Sequence, residues 1–138
     1  MWGRFKMHSK DLAPVVLRIT LALVFLYFGF SQVYNPDNWT SFVPEFAILP
    51  GITANNLVIF NGFLELVFGS FLIMGLYVRL SSLIMAIHLF GITLSIGFTP
   101  LGVRDFGLAF ATLALYLFGP DNYTVDYKYS QKNLNLSN

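Results

Sequence analysis

"NGFLELVFGSFLIMGLYVRL", residues 61–80, is the stretch whose reading decides the fold. From Gly62 to Leu76 its only hydrophilic side chains are Glu65 and Ser70. With Leu57–Phe60 before it, this makes an apolar segment of about 20 residues, the length a helix needs to cross the hydrocarbon core of a bilayer. "YVR", Tyr77 to Arg79, then reads as a short polar turn. A carboxylate in the middle of such a segment calls for an explanation, because an ionisable group at membrane depth costs at least about 2.5–3.5 kcal/mol on insertion scales.

Working outward, the same pattern recurs. After the turn, residues 80–97 form a second apolar run that contains His88, broken by "FTPLG" with its proline and glycine. Residues 103–118 form another, with Arg104 and Asp105 at its head, stopped by "GPDN", 119–122. Before residue 57 lies a 34–56 loop with three prolines, and before that an apolar run over 12–33. Pro14 sits near the start of that run, where a missing N–H does no harm. The 12–33 segment is too long for a cleaved signal peptide, carries Arg18 inside it and lacks a small-residue cleavage site. The spans 12–33, 57–76, 80–97 and 103–118 thus predict an all-α, membrane-spanning four-helix bundle, one domain over 1–138 with a polar tail at 119–138.

Composition agrees. The 138 residues are 56% hydrophobic and 11% charged, with mean hydropathy +0.65; a soluble domain carries roughly 25% charged residues. Fifteen phenylalanines argue against disorder. A net charge of +1 gives no field for nucleic acid. The absence of cysteine removes disulfides, thiol relays and cysteine-held metal or iron–sulfur sites. With two histidines, His8 and His88, a multi-histidine metal or haem site is not expected, nor any covalently bound cofactor.

Basic residues set the expected orientation. Arg4, Lys6 and Lys10 precede the first span, Arg79 sits between the second and third, and Lys128 and Lys132 follow the fourth, whereas loop 34–56 has none. Both termini are therefore expected in the cytoplasm and the long loop outside, in a multi-pass cell-membrane protein. Trp39, Phe42 and Phe46 suit either an element folded over the bundle mouth or a plain connector with interfacial aromatics. The sequons at Asn38 and Asn122 carry little weight, the latter being expected on the cytoplasmic side.

The polar residues at membrane depth are Arg18, Glu65, His88, Arg104 and Asp105, with Asn61 and Gln32 as neutral companions. Helical spacing places Arg18, Ala22, Phe25, Gly29 and Gln32 on one face; Asn61, Glu65 and Gly69 on another; and Ser81, His88 and Ser95 on a third. Arg104 shares the fourth face with Leu108, Ala111 and Leu115. At about 1.5 Å per residue, Glu65 and His88 fall at similar depth, and either Arg18 or Arg104 could reach Glu65. Gly69 would let a neighbouring helix come close. These residues form either a polar network that fixes helix register or the polar part of a ligand site; an arginine contact alone would favour the first, an adjoining cavity the second.

The three segments "LRITLALVFLYFGFSQVYNPDNW", "NGFLELVFGSFLIMGLYVRL" and "GVRDFGLAFATLALYL" together resemble the DoxX/DoxD-like family of small four-helix membrane proteins, from Pro14 to about Asp121. The family is named for a membrane subunit linked to thiosulfate:quinone oxidoreduction, and distant relatives act as cargo receptors or assembly chaperones. The resemblance implies a redox-associated accessory subunit that holds a quinone-like lipophilic ligand or a partner membrane protein. Beyond the bilayer, its partners would be a membrane or soluble redox protein, or a second copy of the chain. No nucleophile, metal box or cofactor motif accompanies the polar residues, so two alternatives stay open. One is a quinone-linked oxidoreductase subunit in which Glu65 and His88 relay protons. The other is a small proton-coupled transporter, which four helices without an internal repeat would support only as a dimer.

Overall fold

A computed structural model describes residues 9–136, and among them the chain is helical with no strand. Arg4, Lys6 and His8, used above, lie outside the described residues. The long helices are α1 (Ser9–Tyr34), α2 (Ala54–Met74), α3 (Val78–Ile96) and α4 (Pro100–Phe118), followed by a shorter α5 (Val125–Leu136). Two short 3₁₀ helices, Pro36–Phe42 and Glu45–Ala47, lie in the loop between α1 and α2. Each of α1–α4 is long and apolar enough to cross a membrane. Their outward surfaces are apolar too: Leu94 is 85% exposed and Tyr27 70%. That is the reverse of a soluble bundle and suits contact with lipid.

Local chemistry extends the helices beyond the apolar runs. Thr53 caps α2, accepting the Asn56 N–H at 3.2 Å, so the helix begins at Ala54 rather than at Leu57. Thr99 does the same for α4 through the Gly102 N–H at 3.1 Å, with Pro100 in the first turn, where its missing N–H costs nothing. Between α2 and α3 the three-residue turn expected at 77–79 lies two residues earlier, at 75–77. Gly75 ends α2 in the left-handed conformation (φ 70°), and Tyr77 follows at φ 46°, unusual for a side chain of its size. The Asp126 carboxylate holds that turn by accepting the Tyr77 and Val78 N–H groups at 2.9 and 2.8 Å.

The helices pack as two close pairs, α1 with α2 and α3 with α4, joined along looser seams between α2 and α3 and between α1 and α4. The α1–α2 crossing depends on two glycines. A Cβ on Gly29 would stand 2.8 Å from the Gly62 carbonyl oxygen, and one on Gly62 would stand 2.8 Å from the Gly29 oxygen. Only glycine lets the two backbones approach this closely. Gly69 faces the same helix, its Cβ direction 3.2 Å from Phe25 Cβ. The apolar core, which includes Leu21, Phe25, Leu72, Val78, Met85 and Leu115, fills the middle of the bundle and the end where α2 meets α3. We call this the tail end. The opposite end, under the 36–47 helices, is the loop end.

Over its described residues, 119–136, the last segment differs from the polar tail expected at 119–138. Asp121 and Thr124 are 4% and 0% exposed. Thr124 Oγ1 donates to the Asp121 carbonyl at 2.7 Å and accepts the Tyr127 N–H at 3.2 Å, which starts α5. This first stretch is part of the bundle floor, whereas α5 itself has no buried residue.

Candidate functional site

The expectation that Arg18 could reach Glu65 is overturned. Arg18 turns toward the tail end, where its Nε lies 2.7 Å from Asp121 Oδ2, with both side chains almost fully buried. Its Nη1 donates to the carbonyls of Leu72 and Ile73 at 2.6 and 3.1 Å, in the last turn of α2. One guanidinium thereby joins α1, the end of α2 and the segment after α4. Its partner lies outside the four spans: Asp121 follows α4 and folds back beneath the bundle, at a depth that residues within the spans do not share.

The other polar residues meet at the loop end. Glu65 is 5% exposed and faces the bundle interior. It accepts from Gln32 Nε2 at 3.2 Å on one oxygen and from Asn61 Nδ2 at 3.5 Å on the other. Asn61 also donates to Gln32 Oε1, so the three side chains close a small ring across α1 and α2. The stripe on α1 explains the placement: Arg18, Ala22, Phe25, Gly29 and Gln32 are all buried, and Gln32 is its last member. On α3 the expected stripe diverges along its length, from a fully buried Ser81 through a half-buried His88 to an exposed Ser95.

Arg104 does not pair with Glu65 either. Its Nη2 lies 2.7 Å from Oδ1 of Asp105, the next residue, which is 4% exposed. The guanidinium carbon stands 4.4 Å from the centroid of the Phe28 ring, a cation–π contact that ties α4 to α1. No cation stands in ion-pair contact with Glu65 among the described residues; its partners are the two amides.

These groups border a cavity of about 450 Å³. Its walls are mainly apolar, from Phe25, Phe28, Val58, Leu89 and Leu108, and its polar points are Gln32, Asn61, Glu65, His88, Arg104 and Asp105. The 36–47 segment roofs it. Trp39 rests edge-on against Phe28 with ring centres 5.6 Å apart and donates to Ser31 Oγ at 3.2 Å. Asn55 donates to Asp37 at 2.8 Å and fastens the loop to α2. Of the two readings left open for this loop, the structure shows the element folded over the bundle mouth.

His88 occupies a distinctive place in this cavity. Its Nε2 is shielded from solvent and has no hydrogen-bond partner. Ser81 Oγ and Thr93 Oγ1 share that condition among the described residues, but neither borders the cavity. A buried polar atom without a partner loses its hydration uncompensated; here that atom belongs to a residue that borders the cavity. Among the described residues no three His, Asp or Glu side chains gather closely enough to hold a metal ion. Chemically, the arrangement offers amide N–H donors, an imidazole nitrogen and a carboxylate without a counter-ion, all set in an apolar chamber. The sequence offered Trp39 through its aromatic cluster as part of an element over the bundle mouth, but not its hydrogen bond to Ser31, and it gave no sign of the role of Asp121.

The model of the DoxX family matches residues 13–98. That covers α1, the roof segment, α2 and α3, well over half of the chain. The fold and site thus define a small integral membrane protein of the four-helix type, and the chain belongs to the DoxX family. The match stops short of α4, so Arg104 and Asp105 lie beyond it. Comparison with curated proteins gives no match, and neither does comparison with solved structures.

Proposed function

We propose that this DoxX family protein binds a lipophilic small molecule with a compact hydrogen-bonding head, of the quinone type, in the loop-end cavity, and serves as an accessory subunit to a redox partner. The observation that carries the reading is an apolar chamber on which His88, Glu65, Asn61 and Gln32 converge, with Glu65 held by amides and not by a cation. Binding sites for small molecules are typically apolar cavities of roughly 300–1,000 Å³ with a few convergent polar groups. A quinone ring presents two carbonyl acceptors on a flat apolar body. Both N–H groups of Asn61 are taken by Gln32 and Glu65, but Gln32 Nε2 gives one N–H to Glu65 and has a second to offer; His88 Nε2, in the tautomer that carries its proton there, becomes another donor once the ring turns toward the cavity. The redox association comes from the family. The chain contributes no redox centre of its own to this reading, so electrons would pass between the ligand and the partner.

The test is a binding measurement on the purified chain in nanodiscs. Decylubiquinone should raise the unfolding temperature of the wild type in a concentration-dependent manner, and Glu65→Gln should lose most of that shift while remaining folded. A wild type indifferent to decylubiquinone, purified from native membranes with a protein partner and no lipophilic molecule, would replace the ligand by the partner.

A further inference from the structure

We infer that the cavity is entered sideways from the bilayer, through a portal between α2 and α3, and takes the head of an amphiphile whose hydrocarbon tail remains in that portal. This rests on reading the cavity as a site for a lipophilic molecule, and it specifies the class of molecule and its route.

The two looser seams of the bundle differ. The seam between α1 and α4 is bridged at cavity level by Arg104 lying over Phe28 at 4.4 Å, with the guanidinium held in place by Asp105. The seam between α2 and α3 has no such bridge among the described residues. Phe60 on α2 and Ile87 on α3 both border the cavity and yet are 66% and 62% exposed. Side chains that line a chamber while facing outward mark its opening. Gly91, one turn along from Ile87, also borders the cavity and is exposed. A Cβ built on it meets nothing within 4 Å, in contrast to Gly29 and Gly62, where a Cβ would strike backbone. Gly91 therefore leaves a gap where the other two serve a helix contact.

The rim also suits hydrocarbon. Phe60, Ile87 and Ile92 are apolar, and the hydroxyl of Ser95, the next residue outward on the same face, donates to the Gly91 carbonyl at 2.9 Å. A hydroxyl satisfied in this way presents little polarity to a passing chain. Above, the cavity is roofed by Trp39, Phe42 and Pro44; below, Phe25 and Leu89 close it against the core. A volume of about 450 Å³ sits in the lower part of the range that encloses drug-sized molecules. It holds a ring or a small head group, and a long acyl or isoprenoid tail must lie outside. An opening at membrane depth lets the tail rest among lipid chains while the head reaches Glu65 and His88.

The test works whichever amphiphile the cavity takes. The chain is reconstituted with a phospholipid that carries a diazirine on its head group, illuminated, and mapped for adducts by mass spectrometry. Phe25 and Leu89 border the cavity and are only 2% and 3% exposed, so a carbene reaches them only by way of the portal. The expected result is adducts at Phe25 and Leu89 in the wild type and their loss in Gly91→Trp. Adducts at Tyr34 and Phe46, which are 78% and 75% exposed at the loop end, should be unchanged in both. Should the tryptophan variant fail to fold, Gly91→Leu carries the same expectation, since either side chain projects into open space. Absence of adducts at Phe25 and Leu89 in the wild type, or their persistence in the plugged variant, would overturn the portal. Competition with decylubiquinone separates the two inferences. If it suppresses the inner adducts, the head bound is quinone-like. If the adducts appear as expected and decylubiquinone leaves them unaffected, the portal stands for a lipid head group and the quinone reading fails.

Discussion

At the tail end of the bundle Arg18 and Asp121 face each other inside the protein and saturate one another's neighbours. The guanidinium takes the carboxylate and two helix-end carbonyls, and the carboxylate also accepts the Tyr123 N–H at 2.9 Å. At the loop end a second set of buried polar groups, larger in number, is arranged around an open space. There Glu65 meets amides instead of a cation, and His88 Nε2 meets nothing. Both sets sit on the inward stripes of apolar helices. The difference teaches that burial of charge in this membrane bundle serves two ends: where the groups saturate one another they fix the fold, and where they leave valence unspent beside a cavity they are available to something else.

The largest effect expected is from breaking the saturated end. Asp121→Ala would leave the Arg18 guanidinium buried without its counter-charge, which costs about 3–5 kcal/mol in comparable pairs. Unfolding of the purified protein in mixed micelles should show this loss directly. The double variant Arg18→Met with Asp121→Leu should recover a large part of it, because apolar replacements of a buried pair are often nearly neutral. A cost for Asp121→Ala no larger than that of a surface pair, roughly 1 kcal/mol or less, would mean that the tail-end cluster is not what holds α1 to the bundle floor.

A smaller and more diagnostic effect is expected at the α1–α2 crossing, which supports the loop end from below. In Gly62→Ala the new methyl group would press on the Gly29 carbonyl oxygen, the Val33 side chain and Gln32 Cβ, all within 2.8–3.0 Å. Overpacking of this kind costs about 1–3 kcal/mol. Because Gln32 is one of the groups pushed, ligand-dependent stabilisation should fall as well. Such a variant sharpens the comparison by linking helix approach to cavity geometry; loss of stability with the ligand response intact would separate them.

How much of this could be read in the sequence follows from the range of the contacts. Four apolar runs and their breakers predict the helices, and the three- and four-residue steps through Arg18, Gln32, Asn61 and Glu65 predict which faces turn inward. Those features depend on neighbours within a few turns. The partner of Arg18 stands 103 residues away in a "GPDN" stretch whose composition says only that a helix stops there. Nothing local distinguishes an aspartate that ends in solvent from one that folds back beneath the bundle. The same holds for the cavity: periodicity shows that Glu65 and His88 face inward, but whether the space between them is filled depends on how far apart α1–α2 and α3–α4 settle. Gly91 makes the point most sharply. In the sequence it is one small residue among several, and only the distances around it show that it leaves a gap where Gly29 and Gly62 make a contact.

The smallest effect on stability is expected where the comparison is most exposed to refutation, at His88. If the imidazole were a structural element of the bundle, its replacement by an apolar residue of similar size would remove a needed interaction and cost stability, as at the tail end. Its Nε2 has no partner to lose. His88→Leu should therefore leave the unfolding free energy unchanged or raise it by up to about 1 kcal/mol, since removing an unsatisfied buried polar atom recovers part of its desolvation penalty of about 1–3 kcal/mol. The same variant should lose the stabilisation that decylubiquinone confers on the wild type. Gain of stability with loss of binding is the pattern of a residue kept for function at some expense to the fold. A leucine variant that is both less stable and equally responsive to the ligand would place His88 with Arg18 among the groups that hold the helices together, and the loop end would then be a second lock with a void beside it.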